Sequence, residues 1–583
     1  MSSKDEGLKS RSREPLTQHV SCVELEHPPA GGQAFQSGMA YTGDLSQPPR
    51  RISDDAREGI AKERRMTFLS GTRMYPRAIL WSALLSLTIV MEAYDKMLVG
   101  GFLASPAFRE RFGTSIIVKP DGTTTRDLTA TWQAALISSA FSTETIGLLL
   151  NGLLTDRYGY RKVMLGALIF LNLSIFVAFF ATSLPMLLAS QLLFGLPWGI
   201  FQTLSATYAA EVLPVALRTY LLANVNMCWL IGQVIGMGTI HAWIKSNSEW
   251  AYRVPFAIQW AWSIPLLAVL CLCPEGPWWL VRHDRVDDAR HSLERLTRKS
   301  SSELDVNQVI SVMKYTDNIE KQLNQSGNSY LDCFKGTNLR RTEIAGMVWL
   351  TQAFCGGTLM GYAPYFYEQA GFPVAKSFSL TTGMFALGIV GNMIAWFLLR
   401  WFGRRTLYLV GELSLVLILM VGGIVSVVPI QAEVAYWTLG SFLLAFTLCY
   451  NLTIGPVCYV LVAEVPSTRL RVKTVVLARI AFNLASIVNN QLIPRMLNGG
   501  AWNLKGRACW PLAGMAFLCF IWIYFRLPET KDLTYVELDI LFDNKAPTPK
   551  FREVKVNLES RGYLSLNRQE QSAGIWHGWL GYS

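Results

Sequence analysis

Twelve apolar segments follow one another between residues 78 and 526, and each is long enough to cross a bilayer as a helix. Because a helix rises about 1.5 Å per residue, roughly 20 apolar residues span the hydrocarbon core. The composition agrees, since 51% of the 583 residues are hydrophobic and 16% are charged. The sequence therefore predicts an all-α polytopic membrane protein. The predicted segments are 78–104, 131–154, 163–182, 185–211, 219–243, 253–273, 343–367, 377–399, 405–428, 433–463, 474–497 and 508–526.

The loops between the segments differ in their content of Lys and Arg. Loops after the second, fourth, eighth and tenth segments are basic, and the formal net charge of the chain is +11. In a membrane protein such an excess marks cytoplasmic loops, so nucleic acid is not an expected partner. The distribution predicts that both termini lie in the cytosol. The first 77 residues contain no apolar run typical of a signal peptide, so the first segment is expected to direct insertion.

Three polar stretches divide the chain into domains. Residues 1–77 are rich in Ser, Pro and charges of both signs, which predicts a disordered cytoplasmic tail. Residues 274–342 are predicted to form a cytoplasmic linker with short amphipathic helices, and residues 528–583 a second cytoplasmic tail. The segments between these stretches would form two six-helix bundles, 78–273 and 343–527.

Three short motifs occur once in each predicted bundle. The second copies follow the first after 244, 253 and 254 residues. Near-constant offsets at three independent places indicate a duplicated unit of six helices. Two such units, related by an axis along the membrane normal, are typical of transporters that hold a substrate between them. The paired positions are Gly159 and Gly403, Glu211 and Glu464, and Glu275 and Glu529.

The first segment carries Glu92, Asp95 and Lys96 inside its apolar run. A charge in hydrocarbon costs several kcal/mol, so such groups normally face a protein interior or a wet cavity. Glu92 and Asp95 stand three residues apart and share one helix face, where two acids can take up and release a proton. An alternative interpretation is an intrahelical ion pair between Glu92 and Lys96, which leaves Asp95 unexplained.

Two further ionisable residues lie inside predicted segments. Glu144 is in the middle of the second segment and Arg479 is in the eleventh. Such buried ionisable groups are candidate functional residues. The alternatives are an interhelical hydrogen bond for Glu144 and extension of the Arg479 guanidinium to the membrane surface.

Several motifs resemble those of a known family. The Gly152-x3-Asp-Arg-x-Gly-x-Arg-Lys pattern resembles the signature of the major facilitator superfamily, and Pro-Glu-Gly-Pro-Trp-Trp-Leu from residue 274 resembles its sugar porter branch. Within that branch, the segments Met91–Asp95, Trp198–Gln202 and Asn226–Gln233 are similar to the fungal maltose and α-glucoside permeases. The resemblance implies the major facilitator fold, with 12 transmembrane helices in two six-helix bundles.

In those permeases, the residues that match Glu92, Asp95, Glu144 and Arg479 are implicated in proton coupling. The resemblance thus implies the proton as coupling ion, without a cofactor or a metal. The chain departs from the family at Lys96, where a small or polar residue is usual. A cation beside Asp95 could blunt proton uptake.

A disaccharide site needs hydrogen-bonding groups for hydroxyls and aromatic faces for the rings. Tyr365 and Trp229 are candidate stacking partners. A polar amide in a membrane helix can instead stabilise contacts between helices, and that alternative stays open for each candidate. The candidate sugar-binding residues are Asn226, Gln233, Thr351, Gln352, Tyr362 and Asn483.

Charged residues cluster at the cytoplasmic ends of the segments, and the resemblance implies that they form a conformational latch. Pairing across the bundles would hold the inner side closed while the outer side is open. The alternative is that the basic residues only set the topology. The candidate latch residues are Asp156, Arg157, Arg161, Glu211, Arg218, Arg404, Glu464 and Arg469.

These observations predict a monomeric, proton-coupled importer of the plasma membrane for maltose or another α-glucoside. Two alternatives are a passive sugar facilitator of the same fold and a sugar sensor that does not transport. An enzyme is not expected, because the sequence has no metal-ligand spacing, no phosphate-binding glycine loop and no nucleophile elbow.

Overall fold

The computed structural model describes residues 68–531 apart from 119–123, 247, 298–304, 325–329, 428–431 and 468–469, with a few single residues on either side. The two predicted tails therefore lie largely outside the described residues. The described part is almost entirely helical, which confirms the all-α prediction. Its first half contains α1 (Phe68–Met74), α2 (Pro76–Phe102), α3 (Pro106–Phe112), β1 (Ser115–Val118), β2 (Thr124–Asp127), α4 (Ala130–Tyr158), α5 (Tyr160–Phe179), α6 (Leu184–Val212), α7 (Val215–Trp243) and α8 (Trp250–Leu270).

Shorter helices connect this half to a second set of long helices. The connecting helices are α9 (Pro277–Arg282), α10 (Val286–Leu296) and α11 (Val306–Asn324), followed by a 3₁₀ turn at Tyr330–Phe334. Each of the twelve predicted segments falls on one helix or on consecutive helices of the structure. The second half contains α12 (Gly336–Phe354), α13 (Thr358–Gly361), α14 (Ala363–Ala370), α15 (Val374–Trp401), α16 (Arg404–Val425), α17 (Ala432–Leu452), α18 (Ile454–Glu464), α19 (Arg471–Leu497), a 3₁₀ turn at Lys505–Ala508 and α20 (Cys509–Arg526).

The outer surface of the helices is suited to lipid. Within the described residues, nine helical stretches are long and apolar enough to cross a membrane. Leu153, Phe397 and Leu518 point outward and are 63% to 71% exposed, as expected where hydrocarbon replaces water. The protein is therefore a multi-pass membrane protein. The helices α4, α7 and α12 are not among the nine stretches, so the count of twelve crossings stays a prediction.

Glycines bring the helices that carry the candidate acids into close contact. Gly195 and Gly199 of α6 lie against the backbone of α4, where a Cβ atom would overlap the carbonyl oxygens of Ala140 and Glu144. Gly232 of α7 lies against the backbone of α2 in the same way. Small residues permit this close approach of membrane helices. The packing places the acids of α2 beside Glu144 and one face of α6.

Two of the repeated motifs make the same contact in each half. Glu275 accepts a hydrogen bond of 3.1 Å from the backbone N–H of Arg161 at the start of α5. Glu529 accepts one of 2.7 Å from the backbone N–H of Arg404 at the start of α16. A carboxylate there satisfies free N–H groups and balances the helix dipole. Gly159, with a φ of 87°, forms the turn that leaves room for Glu275.

The two halves meet along two pairs of helices, α4 with α19 and α7 with α15. The strands β1 and β2 pair in antiparallel fashion, with Ser115 opposite Asp127. We call the end of the bundle that carries α3, β1 and β2 the hairpin end, and the opposite end, with α9, α10 and α11, the linker end.

Candidate functional site

A central cavity lies between the two halves, where helices of the second half are interrupted. Its volume is about 210 Å³, compared with about 10–15 Å³ for one water molecule, so it admits a small organic molecule. The chain breaks its helical path at Gly356, which has a φ of 96°, and again at Thr453 between α17 and α18. Gly357 and Asn451 beside these breaks line the cavity. Irregular backbone inside a membrane protein is stable where it faces such a cavity.

Both halves supply aromatic side chains to the cavity wall. This mixture of flat apolar faces and a few polar groups is typical of small-molecule sites. Lys96 of α2 and Arg479 of α19 are charged residues of the lining. The aromatic residues include Phe141, Trp198, Trp229, Tyr362, Tyr450 and Phe482.

Four of the six predicted sugar-binding residues line the cavity, namely Asn226, Gln233, Gln352 and Tyr362. Three of them also bond to protein. The Asn226 amide donates to the side-chain oxygens of Asn392 at 2.9 Å and Asn451 at 3.2 Å. Gln352 donates to the Gly455 carbonyl at 3.2 Å, and the Tyr362 hydroxyl donates to Asn490 at 3.1 Å.

The other two predicted sugar-binding residues, Thr351 and Asn483, are buried but do not belong to the cavity lining. The Thr351 hydroxyl donates to the Met347 carbonyl at 2.9 Å. The Asn483 amide donates to Thr145 at 3.4 Å across the contact between α4 and α19. Both side chains bond to neighbouring backbone or to another helix in this structure, and their sugar contact stays a prediction.

Sequence reasoning missed several polar residues of the lining, among them Gln191, Ser486 and Asn490. Polar side chains inside apolar segments were the available signal. Within the described part of the chain, the amides of Gln191 and Gln233 have no protein hydrogen-bond partner, so they are available to a ligand.

The predicted proton-coupling residues lie together. We call Glu92, Asp95, Lys96, Glu144 and Arg479 the acid cluster. The Lys96 ammonium donates to Glu92 and to Glu144, at 2.7 Å in each case. The open alternative of an ion pair between Glu92 and Lys96 is therefore realised, and Glu144 from α4 shares the same cation.

Two neutral side chains of α6 complete the surroundings of the acids. The Gln202 amide donates to Glu144 at 2.8 Å and also to Glu92. The Trp198 indole N–H donates to Asp95 at 3.3 Å. The second oxygen of Asp95 is buried without a hydrogen-bond partner within the described residues. Asp95 therefore differs from the other two acids, because within the described residues no Lys or Arg forms an ion pair with it.

Arg479 approaches the cluster from the second half. Its guanidinium lies 3.9 Å from Glu144 and packs on the rings of Trp349 and Phe482, 4.5 Å from each ring centre. The residue is 7% exposed. This position favours the functional interpretation of Arg479 over extension to the membrane surface.

The described latch residues form contacts within their own half or with the connecting helix α9. Glu211 accepts from the Tyr160 hydroxyl at 2.7 Å and lies 3.7 Å from Arg282. Arg404 lies 3.4 Å from Glu464. Pairing across the halves at the linker end, which was predicted for the state in which the inner side is closed, stays a prediction.

Three of the remaining latch candidates, Asp156, Arg157 and Arg161, contact groups close to them in the structure. The Asp156 carbonyl accepts from the Trp279 indole at 3.1 Å, Arg161 donates to the Cys271 carbonyl, and Arg157 stacks on Tyr158. The Arg218 side chain and the whole of Arg469 lie outside the described residues.

An ion pair that joins the two halves lies at the hairpin end. Arg109 of α3 contacts both carboxylate oxygens of Glu368 in α14, at 2.7 and 2.6 Å. Arg109 also lies 3.5 Å from Asp127, which accepts from the Tyr365 hydroxyl at 3.0 Å. Burial raises the pKa of Asp127, and Arg109 opposes this shift. We call Arg109, Asp127, Tyr365 and Glu368 the hairpin clasp. Tyr365, a predicted stacking residue, thus belongs to the clasp and not to the cavity.

Comparison with known proteins agrees with this fold. Residues 81–542 match the family described as sugar (and other) transporter. The chain belongs to this family of the major facilitator superfamily, and it is a sugar transporter rather than an enzyme.

Curated relatives are similar over most of the chain. A general α-glucoside permease of Saccharomyces cerevisiae is 36% identical over 93% of this chain and 88% of its own length. A maltose permease of the same organism is 36% identical over 86% of this chain and 82% of its own length. Among solved structures, the proton:xylose symporter XylE of E. coli, bound to 6-bromo-6-deoxy-D-glucose, superimposes with a TM-score of 0.64 at 20% identity, over 80% of this chain and 99% of that chain.

Proposed function

We propose that this protein imports an α-glucoside such as maltose together with a proton across the plasma membrane. The observation that carries the proposal is the contact between the acid cluster and the central cavity. Lys96, Trp198 and Arg479 line the cavity and also contact the acids, so a bound sugar would lie beside the proton-binding groups. The names of the permease relatives support an α-glucoside as the substrate.

The proposed mechanism is alternating access by a monomer, with the linker end and both termini in the cytosol. Asp95 takes a proton from outside, and the sugar binds between the halves. A proton on Asp95 removes one negative charge from the cluster and so lowers the free energy of the cluster in a low-dielectric environment. The carrier with both ligands bound then changes conformation. Both ligands then leave to the cytosol.

The proton gradient is large enough for this task. A membrane potential of about 100 mV supplies about 2.3 kcal/mol per charge. A gradient of two pH units adds about 2.7 kcal/mol at 1.36 kcal/mol per unit. Together these terms correspond to roughly 10³- to 10⁴-fold accumulation of sugar.

One observation favours the second candidate, a passive facilitator of the same fold. Lys96 already neutralises charge in the cluster through its contacts with Glu92 and Glu144. The two functions are separated by uptake of labelled maltose, trehalose, sucrose, glucose and cellobiose into a transport-deficient host at acid and neutral pH. Symport predicts accumulation above the external level that a protonophore abolishes. Uptake that only equalises the two concentrations, with or without the protonophore, would establish the facilitator.

A further inference from the structure

The wall of the central cavity is positively charged. Among the described residues, its charged side chains are Lys96 and Arg479, and no Asp or Glu belongs to the lining. Glu92 and Glu144 are fully buried and Asp95 is almost fully buried, so the acids lie behind the wall. A ligand in the cavity therefore contacts the two cations and not the acids.

The Lys96 ammonium has one N–H group left for a ligand. An ammonium has three N–H donors, and the hydrogen bonds that Lys96 makes within the described residues go to Glu92 and Glu144, at 2.7 Å each. Phe141 and Trp229 also line the cavity, and their ring centres lie 4.9 Å from the ammonium. The third N–H is thus available to a group in the cavity.

The Arg479 guanidinium is held by aromatic rings, and in the described part of the chain it donates no hydrogen bond. It lies 4.5 Å from the ring centres of Trp349 and Phe482 and 3.9 Å from Glu144. Buried donors without acceptors are costly. A guanidinium has five N–H donors in one plane, which match the two oxygens of a carboxylate, so a carboxylate ligand would satisfy this side chain.

We propose that the transporter also accepts glycosides that carry a carboxylate group, which Arg479 and Lys96 bind directly. The inference rests on the proposed function, because it assigns a further class of substrate to the same cavity. Both cations approach the same side chain, Glu144, so they are neighbours in the wall. Lys96 also adds a cation at a position where the chain departs from the permease pattern.

The acids behind the wall do not cancel this preference. With a proton on Asp95, the acid cluster carries two negative and two positive charges and is neutral. A carboxylate that bonds to Lys96 and Arg479 is closer to these cations than to the acids, and electrostatic attraction falls with distance. Gln191 and Gln233 of the same lining can bond to the sugar hydroxyls.

A matched pair of ligands tests the proposal. Maltobionate and maltitol share a glucosyl group and an open chain, and they differ at one carbon atom, which is a carboxylate in the first and a CH₂OH group in the second. Calorimetric titration of the full-length protein in detergent gives the Kd of both ligands and of maltose, at about pH 6, where a carboxylic acid with a pKa of about 4 is ionised. We expect maltobionate to bind about tenfold more tightly than maltitol, because a charge-assisted hydrogen bond replaces a neutral one.

Substitutions identify the cation that produces this ratio. Lys96→Met removes the charge and should lower the ratio toward one, whereas Lys96→Arg should keep it. Lys376→Met is the matched control, because it removes an exposed cation at the start of α15, outside the cavity lining. Equal affinities of the wild type for the two ligands, or a ratio that Lys96→Met leaves unchanged, overturn the proposal. The wild-type ratio stays decisive if Lys96→Met does not fold.

Exchange separates a substrate from an inhibitor. Proteoliposomes loaded with maltose should take up labelled maltobionate without a pH difference, so the result does not depend on proton coupling. Binding without exchange would overturn the assignment of maltobionate as a substrate. Failure of maltose to bind or to exchange rejects the proposed function itself, which is a separate outcome.

Discussion

Hydrogen-bond partners separate the cavity amides into two groups. Asn226 and Gln352 are engaged with protein groups, whereas Gln191 and Gln233 have no protein partner within the described residues. An amide that already has its partners stabilises the packing, and one without partners can bind a sugar hydroxyl. The residue type alone did not reveal this difference, because both groups are amides in apolar segments.

We expect Gln233→Ala to weaken sugar binding. Loss of one hydrogen bond costs about 1 kcal/mol, which corresponds to roughly a fivefold increase in KM. Initial uptake rates over a range of maltose concentrations measure this effect. Thr351→Val is the matched control, because it removes a hydroxyl that bonds to the Met347 carbonyl outside the cavity. A KM raised more by Thr351→Val than by Gln233→Ala would contradict the assignment.

The helix ends at the linker end depend on partly buried carboxylates. Glu275 and Glu529 each occupy the N-terminus of a long helix, α5 and α16 respectively. Burial raises the pKa of Glu275, while its backbone hydrogen bonds favour the ionised form. The two halves therefore stabilise equivalent turns by the same contact.

Glu275→Gln is expected to reduce the stability of the first half by about 1 kcal/mol, because the charge at the helix N-terminus is lost. Thermal unfolding in detergent, followed by tryptophan fluorescence, measures the shift. Glu294→Gln is the control, since Glu294 is exposed in the last turn of α10, away from any helix N-terminus, and should change little. Equal shifts for both variants would exclude the capping role.

The hairpin clasp connects α3 and β2 to α14, so it joins the two halves at the hairpin end. We expect Glu368→Gln to favour opening at this end, because removing one partner of a buried ion pair costs about 3–5 kcal/mol. A cysteine placed in the cavity by Ser486→Cys should then react faster with an impermeant thiol reagent added from the hairpin side.

Two controls define this labelling experiment. Protein without Ser486→Cys gives the reaction of the native cysteines. Glu249→Gln breaks the pair with Arg111, which is about half exposed at the same end and contributes about 0–1 kcal/mol. If Glu249→Gln accelerates labelling as much as Glu368→Gln, the clasp has no special part in closure.

The sequence could predict the helices and the acid cluster because both leave local signals. Apolar runs of about 20 residues indicate membrane helices. Ionisable residues inside such runs, here Glu92, Asp95 and Glu144, indicate a functional site. The hairpin and the clasp left weaker signals. Residues 115–118 contain only a short β-branched run, and Arg109 meets Glu368 across 259 residues of sequence. That pairing depends on how the two halves approach each other, which no local pattern specifies.

At the scale of the whole molecule, the cavity and the acid cluster both lie where the two halves meet. Four of the acid-cluster residues come from the first half, and Arg479 comes from the second. A relative movement of the halves would therefore change the distance between Arg479 and Glu144, which is 3.9 Å here. Under the proposed symport, this change in distance would link sugar binding to proton release.

The most direct test of proton coupling compares net accumulation with exchange in Asp95→Asn. The variant cluster is neutral without a proton, so we expect loss of pH-driven accumulation of maltose while the exchange of labelled for unlabelled maltose continues. Asp95→Glu, which keeps an ionisable group, is the matched control and should retain pH dependence. Full proton-driven accumulation by Asp95→Asn in proteoliposomes would contradict the account.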